Sequence, residues 1–360
     1  MRSTLTDYIV LYLIPIDGIV FIIDCGLVKE KDYDPKSGMS SLHVTTISQV
    51  RGIGNERLVP LFQAQAAQRA GRAGRTKPGK VFRLYTAAQH SKMRPCGRPA
   101  MQRSNLAQVV LTLKSLGVNP QSFPFINLPT MEQMNDAFNQ LWGMKALSET
   151  GLLTEVGRKM AIMPLPPNLA HMLVNSSKIG CSDEILTIAS MMVQNDVFER
   201  PTELRRAAYE KMSAFDHPGG DLLTLLKVYK AWRENDCRAS WCVVNFIDFR
   251  KMNAAKQQRE HLEELMRQQG LLIVSCESRE EVVQKAICET LKRNIARKAR
   301  QGGYWTEDRG CHLVNVPFSS VYSRIEQPDV LYFEEVVQTT DQFMRRLTVA
   351  GRQGLDGGGH

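Results

Sequence analysis

The chain has 360 residues, 43% of them hydrophobic, and a formal net charge of +9. This length allows about two to four domains, and the apolar content is enough to give them buried cores. The positive charge favours a polyanionic partner, above all nucleic acid. The eight cysteines form no CxxC motif, which argues against a zinc site or a disulfide framework. We therefore expect no metal site, and reduced thiols in a cytosolic or nuclear protein.

One apolar stretch near the start of the sequence, YIVLYLIPIDGIVFII at residues 8–23, has to be compared with a membrane span and with a signal peptide. It is short for a membrane span and contains Pro15, Asp17 and Gly18 in its middle. It also lacks the basic start and small-residue cleavage site of a signal peptide. We predict a soluble chain with no membrane partner, in which IDGIVFIID forms a buried strand.

The next segment alternates between β and α patterns. Asp-Pro and Ser-Gly turn signals followed by β-branched residues predict a hairpin over residues 31–48. A helix is predicted over residues 63–75, and the strand KVFRLYT over residues 80–86. This alternation indicates part of an α/β layer, because about ninety residues cannot build a complete doubly wound sheet.

From residue 99 the pattern becomes helical. NLAQVVLTLKSLG has Asn105 as its expected N-cap, and SETGLLTEVGRKMA has the turn, apolar pair and helix of a winged helix. In a second helical set, Ser182 is expected to cap a helix, and residues 241–269 are consistent with one long helix. Beyond Gly270, the short β runs LLIVSC, CHLVNV and VLYFEEVV suggest a small barrel or sandwich.

The basic run QRAGRAGR has a spacing that matters if it is helical. At about 100° per residue, Gln68, Arg72 and Arg75 share one helix face, whereas Arg69 points away from it. Two guanidinium groups and an amide on one face suit a phosphate chain whose charge must be matched in a transition state. A solvated basic face, or simple contact with an RNA backbone, is the alternative at this point.

The glycines of the same run carry a second signal. Gly71 and Gly74 would each cost about 1 kcal/mol relative to alanine inside a helix. A sequence that accepts this cost twice is expected to need close backbone approach beside the arginine face.

A second basic run, LKRNIARKAR at residues 291–300, precedes Tyr304 and Trp305. Basic side chains beside stacking aromatics suit single-stranded nucleic acid, and a solvated charged helix end is the alternative. The residues expected to bind RNA are Lys292, Arg293, Arg297 and Lys298.

The sequence lacks half of an ATP-hydrolysing site. Such a site needs a loop of the form GxxxxGK[ST] and acidic residues that hold Mg²⁺. The near match GRTKPGKV has Val81 where the Mg²⁺-binding hydroxyl is required, and it leads into a strand instead of a helix. No Asp-Glu-Ala-His sequence is present either. We therefore expect this polypeptide alone to hydrolyse no ATP.

Ordered motifs along nearly the whole chain resemble one family. QRAGRAGR resembles the sixth motif of the DEAH-box helicases of superfamily 2. The flanking segments agree with that family in the same order: IDGIVFIIDCG, YDPKSG, TTISQ, GKVFRLYT, LTLKSLGV, LWGMKAL, GLLTEVGRKMA, LTIASM, LLTLLKVYKAW, SWCVVNFI, VQKAIC and VVQTT. The chain is thus similar to the DEAH-box pre-mRNA splicing helicases, particularly the type that releases spliced mRNA.

The resemblance implies an ATP-dependent RNA helicase with ATP and Mg²⁺ as cofactors, bound mainly by a first RecA-like domain that would precede residue 1. Gln68, Arg72 and Arg75 would be catalytic and reach the γ-phosphate, and Asp17 and Gly18 would contact the nucleotide as part of the fifth motif. The implied partners are single-stranded pre-mRNA or mRNA, spliceosomal proteins and a glycine-patch activator, in the nucleus.

The resemblance also implies a multidomain fold of α/β, α and β parts. A partial second RecA-like domain would span residues 1–98, a winged helix 99–168, a helical bundle 169–268 and an OB-fold barrel 269–349. An unmatched tail would follow at residues 350–360. The hairpin would serve as the element that separates or grips nucleic-acid strands.

Two segments depart from the family pattern. Residues 50–63 intervene where the family runs almost directly on, which suggests an insertion, either a translated intron or a surface loop whose length costs little. Residues 7–15 separate two parts of the fifth motif and leave its geometry open.

Two further functions remain as alternatives. One is a non-catalytic RNA-binding or partner-docking module built from the same domains. The other is a winged-helix DNA binder, but its recognition helix would offer only Arg158 and Lys159.

Overall fold

The computed structural model describes residues 19–28, 30–43, 59–60, 62–73, 77–194, 196–307, 311–338 and 341–350. The candidate residues Asp17, Gly18 and Arg75, the segment 7–15, most of the segment 50–63 and nearly all of the tail lie outside these ranges. The chain divides into two compact units. The first comprises Met1–Asp34, Met39–Ser104 and Val337–Asp341, and the second comprises Pro35–Gly38, Asn105–Val336 and Gln342–His360.

Among its described residues, the first unit contains short strands and two helices. In chain order they are β1 (Phe21–Asp24), β2 (Leu27–Val28), β3 (Glu30–Asp34), β4 (Met39–His43), β5 (Val59–Pro60), α1 (Gln63–Ala70), β6 (Lys80–Arg83) and α2 (Ala87–Lys92), followed by a 3₁₀ turn, Ala100–Arg103. Strand β1 pairs in parallel with β6, and β2 pairs antiparallel with β5. The predicted strand–helix–strand order around α1 is confirmed.

The predicted strand is present as β1, but it is buried on one face only, which corrects the prediction of a buried strand. Phe21 and Ile23 are 64% and 61% exposed, and Phe82 of the paired strand is 52% exposed. Asp24, whose side chain points to the opposite face, is 1% exposed and bonded to Arg69 of α1. Successive side chains of a strand alternate between faces, and α1 covers the face that carries Asp24.

The predicted hairpin is present. Strands β3 and β4 pair antiparallel in a register that runs from Glu30 opposite His43 to Asp34 opposite Met39. Residues 44–48, which the prediction also included, lie outside the described residues. In the same unit, Val337 and Gln338 pair in parallel with Ser40 and Ser41 of β4.

The second unit is mainly helical and ends in small strands. Its elements are α3 (Ala107–Ser115), α4 (Met131–Gly143), α5 (Glu155–Ile162), α6 (Pro167–Ile179), α7 (Ser182–Val193), α8 (Arg205–Ser213), α9 (Asp221–Glu234), α10 (Ala239–Val244), α11 (Phe249–Gln268), α12 (Glu280–Thr290), β7 (Ile295–Lys298), β8 (Tyr304–Thr306), β9 (Leu313–Val314), β10 (Val330–Tyr332), β11 (Glu335–Gln338, which ends in the first unit) and β12 (Gln342–Arg345). Strands β10, β7, β8 and β9 form an antiparallel sheet in that order. No helix in the described ranges is both long and apolar enough to cross a bilayer.

The elements predicted for a winged helix are present in α3 to α5. The Asn105 side chain accepts a hydrogen bond from the Ala107 amide at 2.9 Å, at the start of α3. An antiparallel bridge joins Leu147 to Leu153, and the Thr154 hydroxyl then caps α5 by accepting from the Gly157 amide at 3.0 Å.

The long helix predicted over residues 241–269 is wrong, because the chain breaks between α10 and α11. Phe246 adopts a left-handed backbone (φ 53°), which a continuing helix cannot accommodate. Asp248 then caps α11 by accepting from the amides of Arg250 (2.9 Å) and Lys251 (3.2 Å). An apolar pattern compatible with one helix thus contains a stop and a new start.

Two smaller predictions also fail. Ser182 is the first residue of α7 instead of its cap, and its hydroxyl donates to the Leu272 carbonyl at 2.7 Å and accepts from the Val274 amide at 2.8 Å. The segment LLIVSC belongs to no strand, and two of its residues are held by these bonds to Ser182 of α7.

A buried carboxylate at the start of α9 joins this helix to the terminal β region within the second unit. Asp221 accepts from the Ser320 hydroxyl (2.8 Å) and from the amides of Val321 (2.8 Å) and Leu347 (2.9 Å). Burial raises the pKa of Asp221, and these donors act in the opposite direction. The preceding Gly220 has φ +112°, and a Cβ there would lie 2.3 Å from the Leu347 carbonyl oxygen. The junction between α9 and the terminal β region therefore depends on the Asp221 carboxylate and on the absence of a side chain at Gly220.

Replacing Asp221 with alanine should destabilise the second unit strongly. The change leaves three buried donors without their acceptor, and each such group costs about 1 to 3 kcal/mol. We expect Asp221→Ala to lower the free energy of unfolding in urea by about 3 kcal/mol or more. Glu210→Ala is the matched control, since that exposed carboxylate of α8 pairs with the exposed Arg206 and alanine is favourable in a helix. Equal stability of the two variants would contradict the assigned role of Asp221.

Candidate functional site

The start of α1 is fixed by backbone carbonyl groups that follow α2. The amides of Gln63 and Ala64 donate to the carbonyl oxygens of Arg94 and Pro95, each at 3.0 Å, and the Gln63 side chain donates to that of Met93 at 3.1 Å. These bonds satisfy free amides of the first helical turn. These contacts at its first turn fix the position of α1 within the first unit, and they do not involve the basic residues that follow.

A buried carboxylate fixes the rotation of α1. One oxygen of Asp24 accepts from the Arg69 guanidinium at 2.7 Å and from the Gly26 amide at 3.1 Å, and the other accepts from the Tyr85 hydroxyl at 2.8 Å. Burial, followed by the hydrogen bond to Asp24, raises the pKa of Tyr85 to about 12. Asp24 thus joins the end of β1, helix α1 and the segment after β6.

This contact separates the basic run into inward and outward side chains. Arg69 points toward Asp24, and Gln68 is exposed. This agrees with the prediction that Arg69 points away from the helix face that carries Gln68. The motif reasoning did not identify Asp24 or Tyr85. The available signal was a charged residue, Asp24, at the end of an apolar strand.

The predicted helix over residues 63–75 is too long, which corrects the geometry expected for the three phosphate-contacting residues. Helix α1 ends at Ala70, and the chain continues as a tighter turn in which the Arg72 amide donates to the Arg69 carbonyl at 3.0 Å. Arg72 is half-buried in this turn, so one continuous helix face does not connect it to Gln68. Arg75 lies outside the described residues, and no geometry for it follows.

The glycine expectation is not met at Gly71, and Gly74 lies outside the described residues. A Cβ at Gly71 would meet the carbonyl oxygens of Gln68 and Ala67 at 3.5 and 3.6 Å, which is ordinary contact. Nothing within the described chain therefore requires glycine at this position. Close backbone approach occurs instead at Gly79, where a Cβ would lie 1.9 Å from the Ala73 carbonyl oxygen.

The second basic run is a turn followed by a strand, so its interpretation as a charged helix end is wrong. Lys292 and Arg293 occupy the turn after α12, and Arg297 and Lys298 lie on β7, with all four side chains exposed. Arg297 forms an ion pair with Glu307, and the Lys298 ammonium donates to the Gln327 carbonyl at 2.9 Å. The Arg293 guanidinium donates to the Asn139 carbonyl at 3.5 Å. Three of the four basic residues expected to bind RNA therefore already have partners within the chain.

Only one of the two aromatic residues beside this run can stack on a base. Tyr304 is fully buried and its hydroxyl donates to the Pro328 carbonyl at 2.6 Å, which corrects its expected exposure. Trp305 is 47% exposed and lies opposite Arg297 on β7 and Leu313 on β9. Arg297, Trp305 and Leu313 form a cross-strand row, which we call the Trp305 row.

Comparison with known proteins agrees with the motifs. Residues 137–165 match the winged-helix part of the helicase-associated domain (HA2), and residues 166–225 match its ratchet-like part. The chain is 36% identical over 343 residues to the pre-mRNA-splicing factor ATP-dependent RNA helicase prp22 of Schizosaccharomyces pombe. This alignment covers 94% of the chain and 28% of the relative, so the chain spans less than a third of that protein's length. These findings confirm that the chain resembles the C-terminal part of the DEAH-box splicing helicases, as its motifs predict.

Proposed function

We propose that the chain is part of an ATP-dependent RNA helicase of the DEAH-box class that remodels RNA or RNA–protein complexes in pre-mRNA splicing. The observation that carries this proposal is the Asp24–Arg69 contact, which fixes α1 and leaves Gln68 of the QRAGRAGR motif exposed. The 36% identity to a splicing helicase supports the substrate and the process. Nuclear location and spliceosomal partners, including a glycine-patch activator, belong to the same proposal.

We further propose a partial second RecA-like domain over residues 1–98. The parallel pair β1–β6, with α1 on one face, supports this assignment. Parallel sheets are normally covered on both faces, and the open apolar face formed by Phe21, Ile23 and Phe82 fits an incomplete domain.

The remaining domain boundaries are proposals of the same kind. The winged helix is assigned to residues 99–168 and the helical bundle to 169–268. The antiparallel sheet of β7 to β10 supports an OB-fold over residues 269–349.

ATP with Mg²⁺ would be the cofactor, and this chain would supply only part of its site. Bound ATP supplies the phosphoryl group that is transferred to water, and Mg²⁺ neutralises its charge. The exposed amide of Gln68 and the guanidinium of Arg72 are suited to the terminal phosphate. Asp24, the buried acid beside them, is bonded to Arg69 and Tyr85 and is not available as a metal ligand. Arg75, Asp17 and Gly18 are assigned to the same site by motif alone.

The isolated chain should hydrolyse no ATP, because its sequence contains no phosphate-binding loop and no acidic Mg²⁺ motif. We expect phosphate release by the purified chain, with or without RNA, to equal that of a variant with Gln68, Arg72 and Arg75 all replaced by alanine. RNA-stimulated release above this control would overturn the assignment of an incomplete site. If a separate binding measurement shows that RNA binds while no phosphate is released, the result is consistent with the alternative of a non-catalytic RNA-binding module.

The Trp305 row should bind single-stranded RNA through stacking on Trp305, because its one basic residue, Arg297, is already paired with Glu307. Stacking of one base on an aromatic side chain is worth about 1 to 3 kcal/mol. We expect Trp305→Ala to weaken binding of a fluorescent single-stranded RNA by this amount, measured by anisotropy. Phe318→Ala is the matched control, because Phe318 is 82% exposed in the same region but lies outside the row. If both variants bind RNA as the unmodified chain does, Trp305 is not a stacking residue.

A further inference from the structure

Lys145 adopts a backbone conformation that is uncommon for a lysine. It lies two residues after the end of α4 and has φ 55°, in the left-handed region that favours glycine. Its amide donates to the Trp142 carbonyl at 2.8 Å, and its own carbonyl accepts from the Thr154 hydroxyl at 2.7 Å. Lysine in this backbone conformation is strained where glycine would not be. This suggests that its positive charge has a function.

The turn containing Lys292 and Arg293 lies against the same end of α4. The Arg293 guanidinium is 3.5 Å from the Asn139 carbonyl oxygen, and a Cβ added to Gly143 would lie 3.0 Å from it. Residues distant in sequence are thereby brought together at the last turn of α4. Lys145 lies two residues after the end of α4, and Lys292 immediately precedes Arg293 in the chain.

The charges of both lysines act on one imidazole. His171 on α6 is largely buried, and this burial, together with the charges of Lys292 and Lys145, lowers its pKa to about 4. The neutral imidazole is therefore the form present at neutral pH. Both ammonium groups are exposed, and within the described residues neither has a hydrogen-bond or ion-pair partner.

Basic side chains near a helix C-terminus commonly serve only the terminal carbonyl groups. Arg293 fills that role at α4 through its contact with the Asn139 carbonyl. Lys145 and Lys292 are then left as a pair of uncompensated positive charges. Such a pair is suited to an anion that comes from outside the chain.

An exposed aromatic residue three positions before Lys145 indicates which anion. Trp142, in the last turn of α4, is 55% exposed. Positive charge beside an exposed aromatic ring is the combination that binds single-stranded nucleic acid, whose bases stack while its phosphates are neutralised. An acidic peptide would use the two lysines but would not need the indole.

We propose that Lys145 and Lys292 bind the phosphate backbone of single-stranded RNA and that Trp142 stacks on one of its bases. This site, the Lys145 site, rests on the proposed RNA-binding function and extends it to a residue outside the basic runs of the sequence.

The test uses the full chain, a fluorescein-labelled oligouridylate, and the variants Lys145→Gly and Lys292→Gln, singly and combined. Each lost phosphate contact should make the plot of log affinity against log salt shallower by about 0.7. Lys145→Gly also relieves the left-handed backbone, so its thermal stability should match or exceed that of the unmodified chain. Weaker RNA binding without loss of stability separates a binding role from a structural one.

Lys211→Gln, which removes an exposed lysine of α8, is the matched control and should leave binding unchanged apart from a small general charge effect. If the unmodified chain binds no oligouridylate at low salt, the proposed RNA-binding function itself fails. If it binds and the double variant shows an unchanged salt slope, only the Lys145 site fails. A loss of poly-glutamate binding with RNA binding unaffected would also overturn the site, in favour of an acidic peptide.

Discussion

A carboxylate buried at the end of a strand organises the candidate ATP-contacting region. An unpaired buried charge is costly, and Asp24 avoids that cost by accepting from Arg69, Tyr85 and the Gly26 amide. Because Arg69 is held on the inner side of α1, the neighbouring Gln68 must face outward at about 100° from it. The side-chain amide of Gln68 is thus exposed because the neighbouring Arg69 is bound to Asp24 on the inner side of α1.

The second unit uses the same device at the start of α9. Asp221 is the first residue of that helix, and it receives donors from two separate segments of the terminal β region. Nearby, two of the three guanidinium nitrogens of Arg324, Nε and Nη2, donate to Asp216, at 2.7 and 2.6 Å. Removing one partner from a buried charged group costs more than the bond contributes, so these contacts fix the arrangement of helix and strands more firmly than apolar packing alone.

The sequence predicted most helices and the β–helix–β order because these follow from local periodicity and turn residues. It failed where a single backbone angle or a distant partner decides the outcome. The break at Phe246 depends on a left-handed residue that an apolar pattern does not reveal. Helix α1 ends at Ala70, one residue before Gly71, whereas the motif spacing assumed a helix that continues to Arg75.

The candidate site was predicted as a set of residue types but not as a geometry. The motif supplied Gln68 and Arg72, while the contact that fixes α1 is made by Asp24, about 44 residues before Gln68, which is also bonded to Tyr85, about 17 residues after it. Both residues belong to segments that resemble the family, but nothing in those segments marks them as partners. Successive side chains of a strand point to opposite faces, so only one of the adjacent residues Tyr304 and Trp305 on β8 can point inward. Composition favoured both, and only the pairing of β7 with β8 selects Trp305.

Charge is the property for which sequence and structure differ most. The chain has 46 lysine and arginine residues and a net charge of +9, but a net charge does not identify which cations are available to a partner. Arg69 and Arg297 look available in their basic runs, yet each is bonded to a carboxylate of its own unit. Lys145 belongs to no basic run, and its charge is uncompensated because the neighbouring helix end is already served by Arg293. A polyanion is attracted by the charges left after internal pairing, and those are fixed by the fold.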